Sequence, residues 1–89
     1  MPRYLIERTR PAGLSPEEAR GRAERAIEVA DRMPGVVWIK SYVSESEGKI
    51  YCEYEAPSPE AIREHARQAG LSVEKTTLVN MEIDPSMFR

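Results

Sequence analysis

The residues best suited to chemistry are the only cysteine of the chain, Cys52, and its only histidine, His65. A thiolate and an imidazole can share a transition metal or form a nucleophilic pair. Two ligands do not make a zinc site, however, and no CxxC or HxxxH motif accompanies them. No residues suggest an oxyanion hole. The structural alternative is a small buried Cys52 and a half-buried His65 ring that is hydrogen-bonded to the backbone.

Acidic side chains on predicted strands form a second group of candidate ligands. Alternation along the strands predicts that Glu7, Tyr42, Glu53 and Glu82 share one sheet face. Crowded carboxylates repel one another unless a cation, a proton or a basic side chain lies between them. Two interpretations remain open: a solvated charged face, or a dimer interface that encloses a polar or metal-binding centre.

Composition limits the possible partners. The 89 residues predict one domain over residues 1–89, with a core small enough that a homodimer would add useful burial. The net charge of -2, without a basic run, argues against nucleic acid and anionic membranes as partners. The N-terminus has no long apolar run, so we expect neither a signal peptide nor a membrane span. A lone cysteine fits a reducing, cytoplasmic location.

The elements that must position these residues follow from periodicity and breaker residues. Ser15-Pro16 with Glu18 is typical of a capped helix start, and Ser58-Pro59 begins a second helix that Gly70 ends. The predicted helices are 15–33 and 59–70, and the predicted strands are 3–9, 36–43, 49–56 and 76–83. The order β-α-β-β-α-β predicts an α+β, ferredoxin-like sandwich: a four-stranded antiparallel sheet with both helices on one face.

A hairpin that turns around Glu47-Gly48 sets the predicted register. It pairs Val43 with Cys52 and Lys40 with Glu55. Parity then predicts which side chains the helices cover and which lie on the open face. The covered face would include Cys52, Val79, Met81 and Ile83, and the open face Glu7, Trp38, Tyr42, Glu53 and Glu82.

One long stretch resembles a known family. The segment SYVSESEGKIYCEYEAPSPEAIREHARQAG, with YLIER at the start and IDP near the end, resembles small bacterial proteins of unknown function. Some members of that family are described as nickel-binding, ferredoxin-like homodimers. The resemblance spans nearly the whole chain, and it implies a homodimer that binds nickel or another divalent transition metal. Some relatives have histidine where this chain has Arg8, which implies weakened or absent metal binding if that histidine is a ligand.

Three functions are compatible with these residues. The first is a non-catalytic, homodimeric metal-binding protein, whose candidate ligands are His65, Cys52, Glu7, Glu53, Glu82 and Tyr42. Since the strands alternate, Cys52 and His65 lie on the other side of the sheet from the carboxylates, which predicts two separate groups. The second is a small enzyme of the dimeric α+β barrel type, a monooxygenase or isomerase, with Trp38 and Tyr42 lining a cavity and Glu53 as general base. The third is a plain dimerisation module.

Overall fold

The computed structural model describes residues 2–89 as a four-stranded sheet and two helices. The elements are β1 (Arg3–Thr9), α1 (Pro16–Asp31), β2 (Val37–Ser44), β3 (Lys49–Glu55), α2 (Pro59–Ala69) and β4 (Lys75–Val79), followed by a 3-10 turn at Pro85–Phe88. All neighbouring strands pair antiparallel in the order β2-β3-β1-β4, so β1 and β3 are central. The predicted ferredoxin-like α+β arrangement is confirmed. Residue 1, which the predicted domain includes, lies outside the described residues.

Both helices begin after their predicted capping serines, and α2 ends at Gly70 as predicted, whereas α1 ends at Asp31, two residues before its predicted end. The Ser15 hydroxyl accepts a hydrogen bond from the Glu18 amide while the Glu18 carboxylate accepts one from the Ser15 amide. Ser58 caps α2 in the same way, and Gly70 ends it with a φ of 72°, a left-handed conformation that glycine adopts freely. Within residues 2–89, no helix has the length and apolar character that crossing a bilayer requires.

The register of the β2–β3 hairpin differs from the prediction by two residues. The turn occupies residues 45–48, so Ser41 lies opposite Cys52 and Lys40 lies opposite Glu53. A bulge between Trp38 and Lys40 then changes the parity of β2. Trp38 therefore lies on the helix side, stacked on Tyr54 with 6.4 Å between ring centroids. The expectation that Trp38 lines an open-face cavity was wrong, because burying the indole beside Tyr54 favours the bulge.

The last strand is shorter than expected. Val79 pairs with Arg3 and therefore lies on the open face, whereas Leu78 pairs with Tyr4. Pairing between β1 and β4 stops there because Pro2, the residue before β1, has no amide hydrogen to donate. The carbonyl of Pro2 accepts a hydrogen bond from the amide of Ala56. Three residues of this segment were predicted to be covered, but Val79 lies on the open face, and Met81 and Ile83 are exposed beyond the end of β4. That prediction was wrong.

The core fills the layer between the sheet and the helices. Buried side chains from both central strands and both helices meet there: Tyr4, Ile6, Ala30, Val36, Cys52, Tyr54, Ala56 and Ile62. In α1 the buried residues are Ala26, Val29 and Ala30. Ile27, on the same helix, is 47% exposed. The opposite sheet face has no covering element in residues 2–89 and is called the open face below.

Candidate functional site

Two of the predicted carboxylate ligands lie on the open face of adjacent central strands. Glu7 on β1 is directly opposite Tyr51, and Glu53 on β3 is directly opposite Leu5, so the two glutamates are diagonal neighbours. Tyr42 pairs with Tyr51 from the other side, and its hydroxyl donates a 3.2 Å hydrogen bond to Glu53 Oε1. Glu7, Tyr42 and Glu53 are called the open-face group.

Basic side chains accompany these carboxylates. Lys40 lies opposite Glu53, and Lys75 lies opposite Glu7. The third predicted carboxylate, Glu82, lies past the end of β4 and forms an ion pair with Arg3. Lysine and arginine therefore offset part of the repulsion that the sequence analysis anticipated. Glu82 is therefore engaged by Arg3, which lies four residues from Glu7 on β1.

His65 is buried between α2, α1 and the sheet. Its side chain is 1% exposed, and Nε2 lies 2.9 Å from the carbonyl oxygen of Ala26. A carbonyl only accepts, so Nε2 carries the proton and donates this bond. Burial is the main cause that lowers the pKa of His65, and the charge of Arg8 adds to it, whereas the bond to Ala26 opposes the shift. The ring is thus a neutral element of the core, in edge contact with Tyr54.

Cys52 is held at the end of a short hydrogen-bonded chain. Trp38 Nε1 donates to Ser41 Oγ at 2.9 Å, and Ser41 Oγ donates to Cys52 Sγ at 2.8 Å. The thiol is free and buried. Because strand alternation separates the two sides of the sheet, Cys52 and His65 lie on the side opposite Glu7 and Glu53, as expected.

No closed metal site exists within one copy of residues 2–89. This part of the chain contains no group of three or more His, Cys, Asp or Glu side chains that would hold a metal ion. The six predicted ligands instead divide into three places: Cys52 and His65 in the core, Glu7, Tyr42 and Glu53 on the open face, and Glu82 beside Arg3. Their role as ligands stays a prediction.

Arg8 is a notable residue that the sequence analysis did not propose as part of a site. It is 3% exposed, and its Nη1 donates a 2.7 Å hydrogen bond to the carbonyl of Ser72. Its Nη2 is buried and has no hydrogen-bond partner among residues 2–89. Its burial could have been predicted from the sequence, because Arg8 follows Tyr4 and Ile6 at a spacing of two residues and shares their buried face.

A cavity of about 220 Å³ lies beside Arg8, between the sheet and the first half of α1. We call it the Arg8 cavity. Its lining includes Arg8, Leu14, Ala23, Cys52, Tyr54 and Leu71. Burial in this layer raises the pKa of Tyr54 to about 12, even though the charge of Arg8 opposes that shift. The wall of the cavity is largely aliphatic and aromatic, and it also contains three arginines, Arg8, Arg10 and Arg22.

The fold and the open-face group define a small α+β sandwich protein with a candidate metal-binding surface. Residues 4–79 match the model of the family described as "Nickel responsive protein SCO4226-like", and the chain belongs to that family. The solved structure of SCO4226 from Streptomyces coelicolor A3(2) is similar, with a TM-score of 0.79 over 91% of this chain and 99% of that chain. Its sequence is 18% identical, so this likeness supports the fold. No curated protein sequence matches the chain.

Proposed function

We propose that the protein is a non-catalytic, homodimeric binder of a divalent transition metal, with nickel as the first candidate. Glu7 and Glu53 are the proposed ligands, and Tyr42 orients Glu53 or adds its own oxygen. The observation that carries the proposal is their juxtaposition on an uncovered sheet face. The description of the family as nickel responsive supports the choice of metal.

Two copies are needed because one open face offers too few ligands. A single copy contributes two carboxylates and a phenol, all of them oxygen donors. If two open faces pack around a twofold axis, the open-face group of one copy meets the open-face group of the other, which doubles the number of available ligands. A metal at that point would also neutralise carboxylates that the interface removes from water.

The surface chemistry of the open face favours such packing. Tyr42 is 52% exposed, and Val37 and Val79 lie on the same side of the sheet. Aromatic side chains are enriched in protein interfaces, where their rings bury large areas. Lys40 and Lys75, opposite the two glutamates, would then move toward the solvated rim.

The core histidine and cysteine are weaker candidates for the same metal. His65 Nε2 is engaged by Ala26, and Cys52 Sγ accepts from Ser41, so binding would break buried hydrogen bonds. Arg8 also lies on this side of the sheet, and its positive charge opposes a second cation nearby. Because the sheet separates Arg8 from Glu7 and Glu53, the charge of Arg8 does not argue against a metal site on the open face.

The test combines mass measurement with metal titration on untagged protein. Elemental analysis, sedimentation and calorimetric titration with nickel, zinc and cobalt would be run on the wild type, Glu7→Gln and Glu53→Gln. Glu55→Gln is the matched control, since Glu55 is two residues from Glu53 on the same strand face. We expect the wild-type protein to bind a whole number of metal ions per dimer. Glu7→Gln and Glu53→Gln should lose this binding, and Glu55→Gln should keep it. Monomeric wild-type protein that takes up no metal would overturn it.

A further inference from the structure

We propose that the Arg8 cavity binds a small organic anion, namely a carboxylate with a compact apolar body. The site is separate from the open-face group and does not depend on the metal proposal, since it lies on the other side of the sheet. Three features carry it: an unpaired buried charge, an unused hydrogen-bond donor, and an apolar space of suitable size.

The charge of Arg8 has no acidic partner among residues 2–89. A guanidinium stays protonated at all accessible pH values. Five ion pairs are formed within residues 2–89, and none of them includes Arg8. The Tyr54 ring, 5.7 Å from the guanidinium carbon, offsets only part of the charge. Since buried charges are normally paired, the missing partner points to an anion from outside the chain.

The hydrogen-bonding capacity of Arg8 is also incompletely used. Nη1 donates to the neutral carbonyl of Ser72, while Nη2 is buried and has no partner in the part of the chain that the structure describes. A carboxylate suits this arrangement, because its two oxygens accept parallel N–H bonds from one guanidinium. A small shift of the side chain toward the cavity would present both nitrogens to the ligand.

The rest of the cavity selects an apolar body of limited size. Ala23, Val43, Ile50 and Leu71 line it with aliphatic surface. At about 220 Å³ it is smaller than the pockets of roughly 300–1,000 Å³ that hold drug-sized ligands. An apolar cavity of about 150 Å³ suffices for benzene, so a benzoate-sized molecule fits.

Two further arginines reinforce the preference for an anion. Arg10 and Arg22 also line the cavity, and both are partly exposed. Arg10 has only a 3.9 Å contact with a highly exposed Glu45, which neutralises it weakly. Their combined positive potential attracts anions to the cavity and discourages cations.

The test is calorimetric and thermal-shift titration of the full chain at neutral pH with benzoate and hexanoate. Benzamide and hexanol serve as neutral probes of similar size. We expect benzoate or hexanoate to bind at one per chain, to raise the melting temperature and to weaken with added salt. The matching neutral probe should bind about tenfold more weakly or worse, because it lacks the charge-assisted bonds. Equal binding of charged and neutral probes, or no binding of either acid, would overturn the proposal.

Three variants test whether the acid binds in the Arg8 cavity. Arg8→Met removes the charge with little change in volume, and it should abolish the preference for the acid over its neutral probe. Ala23→Leu fills the cavity from α1 while leaving Arg8 in position, and it should abolish binding even if the first variant fails to fold. Arg25→Met, at an exposed position of the same helix, is the control for net charge and should bind normally. Binding that survives Ala23→Leu unchanged would contradict the assignment.

Discussion

The guanidinium of Arg8 lies 5.7 Å from the centroid of the Tyr54 ring, and both side chains are buried between the sheet and the helices. This pair introduces a permanent positive charge into an otherwise apolar layer. The open face of the same sheet carries the glutamates that were predicted as ligands. The open face carries charges of both signs, since Lys40 lies opposite Glu53 and Lys75 lies opposite Glu7, whereas Arg8 forms no ion pair within residues 2–89.

His65 makes stability depend on pH in a defined window. Burial lowers its folded-state pKa below the usual value of 6.5, so the unfolded chain binds a proton first as the pH falls. The stabilising effect of the neutral ring is complete above pH 6.5 and is lost progressively below it. One titrating group limits this slope to at most about 1.4 kcal/mol per pH unit. Urea denaturation at pH 5 to 8 measures it.

The control for this prediction is His65→Gln, which removes the only histidine of the chain. The variant should be less stable at neutral pH, since a polar amide replaces a well-packed ring, but its stability should change little between pH 6.5 and pH 5.5. If wild type and variant lose stability in parallel over this interval, a different group is responsible.

Tyr54 should lose its phenolic proton at a higher pH than an ordinary tyrosine does. Its pKa is raised to about 12 from an ordinary value of 10, mainly because burial disfavours the phenolate. Since the unfolded chain ionises first, Tyr54 contributes stability below pH 10 that is lost as the pH rises toward 12. Ultraviolet absorbance of phenolate should show a late step that Tyr54→Phe removes. A late step of full amplitude in that variant would assign it to another tyrosine.

Arg8 is expected to contribute little net stability despite its burial. Arg8→Met should leave the free energy of unfolding within about 1 kcal/mol of the wild type, or raise it, because an unpaired buried charge is replaced by an apolar side chain. Ile6→Ala, two residues away on the same face, should cost about 2–5 kcal/mol through the cavity that it creates. Chemical denaturation of both variants gives the comparison. A loss of several kcal/mol in Arg8→Met would mean that the charge is already compensated.

Two glycines should respond to alanine with opposite signs. Gly70 has a φ of 72° at the end of α2, where alanine is strained, so Gly70→Ala should lower the free energy of unfolding by about 1 kcal/mol. Gly21 lies inside α1, and a Cβ added there would meet no other atom. Gly21→Ala should therefore raise the free energy of unfolding by about 0.5–1 kcal/mol. Thermal unfolding of both variants measures the difference. Equal effects would show that the backbone conformation at Gly70 does not limit stability.

Local chemistry made most of the fold predictable. Ser15, Ser58 and Gly70 marked the helix ends because capping depends on adjacent residues. The bulge at Trp38 was not predictable, since it depends on packing of the indole against Tyr54 across the sheet. The end of β4 depends on where pairing with β1 stops. These long-range effects have no signature in the local pattern.

The candidate sites were predictable only in part. The separation of Cys52 and His65 from Glu7 and Glu53 followed from strand alternation. The sequence analysis treated Arg8 only as a difference from relatives, because charged residues are rarely buried, although its spacing from Tyr4 and Ile6 indicated the covered face. A ligand set shared between two copies cannot be read from the pattern of one chain.

The most direct test of the metal-binding proposal is calorimetric titration of nickel into Glu53→Gln beside Glu55→Gln. Both variants remove one carboxylate from the same face of β3, so they match in charge and differ in position. The account predicts that Glu53→Gln loses nickel binding while Glu55→Gln retains the stoichiometry of the wild type. Retained binding in Glu53→Gln, together with loss in His65→Gln, would contradict an open-face site and move the metal to the core.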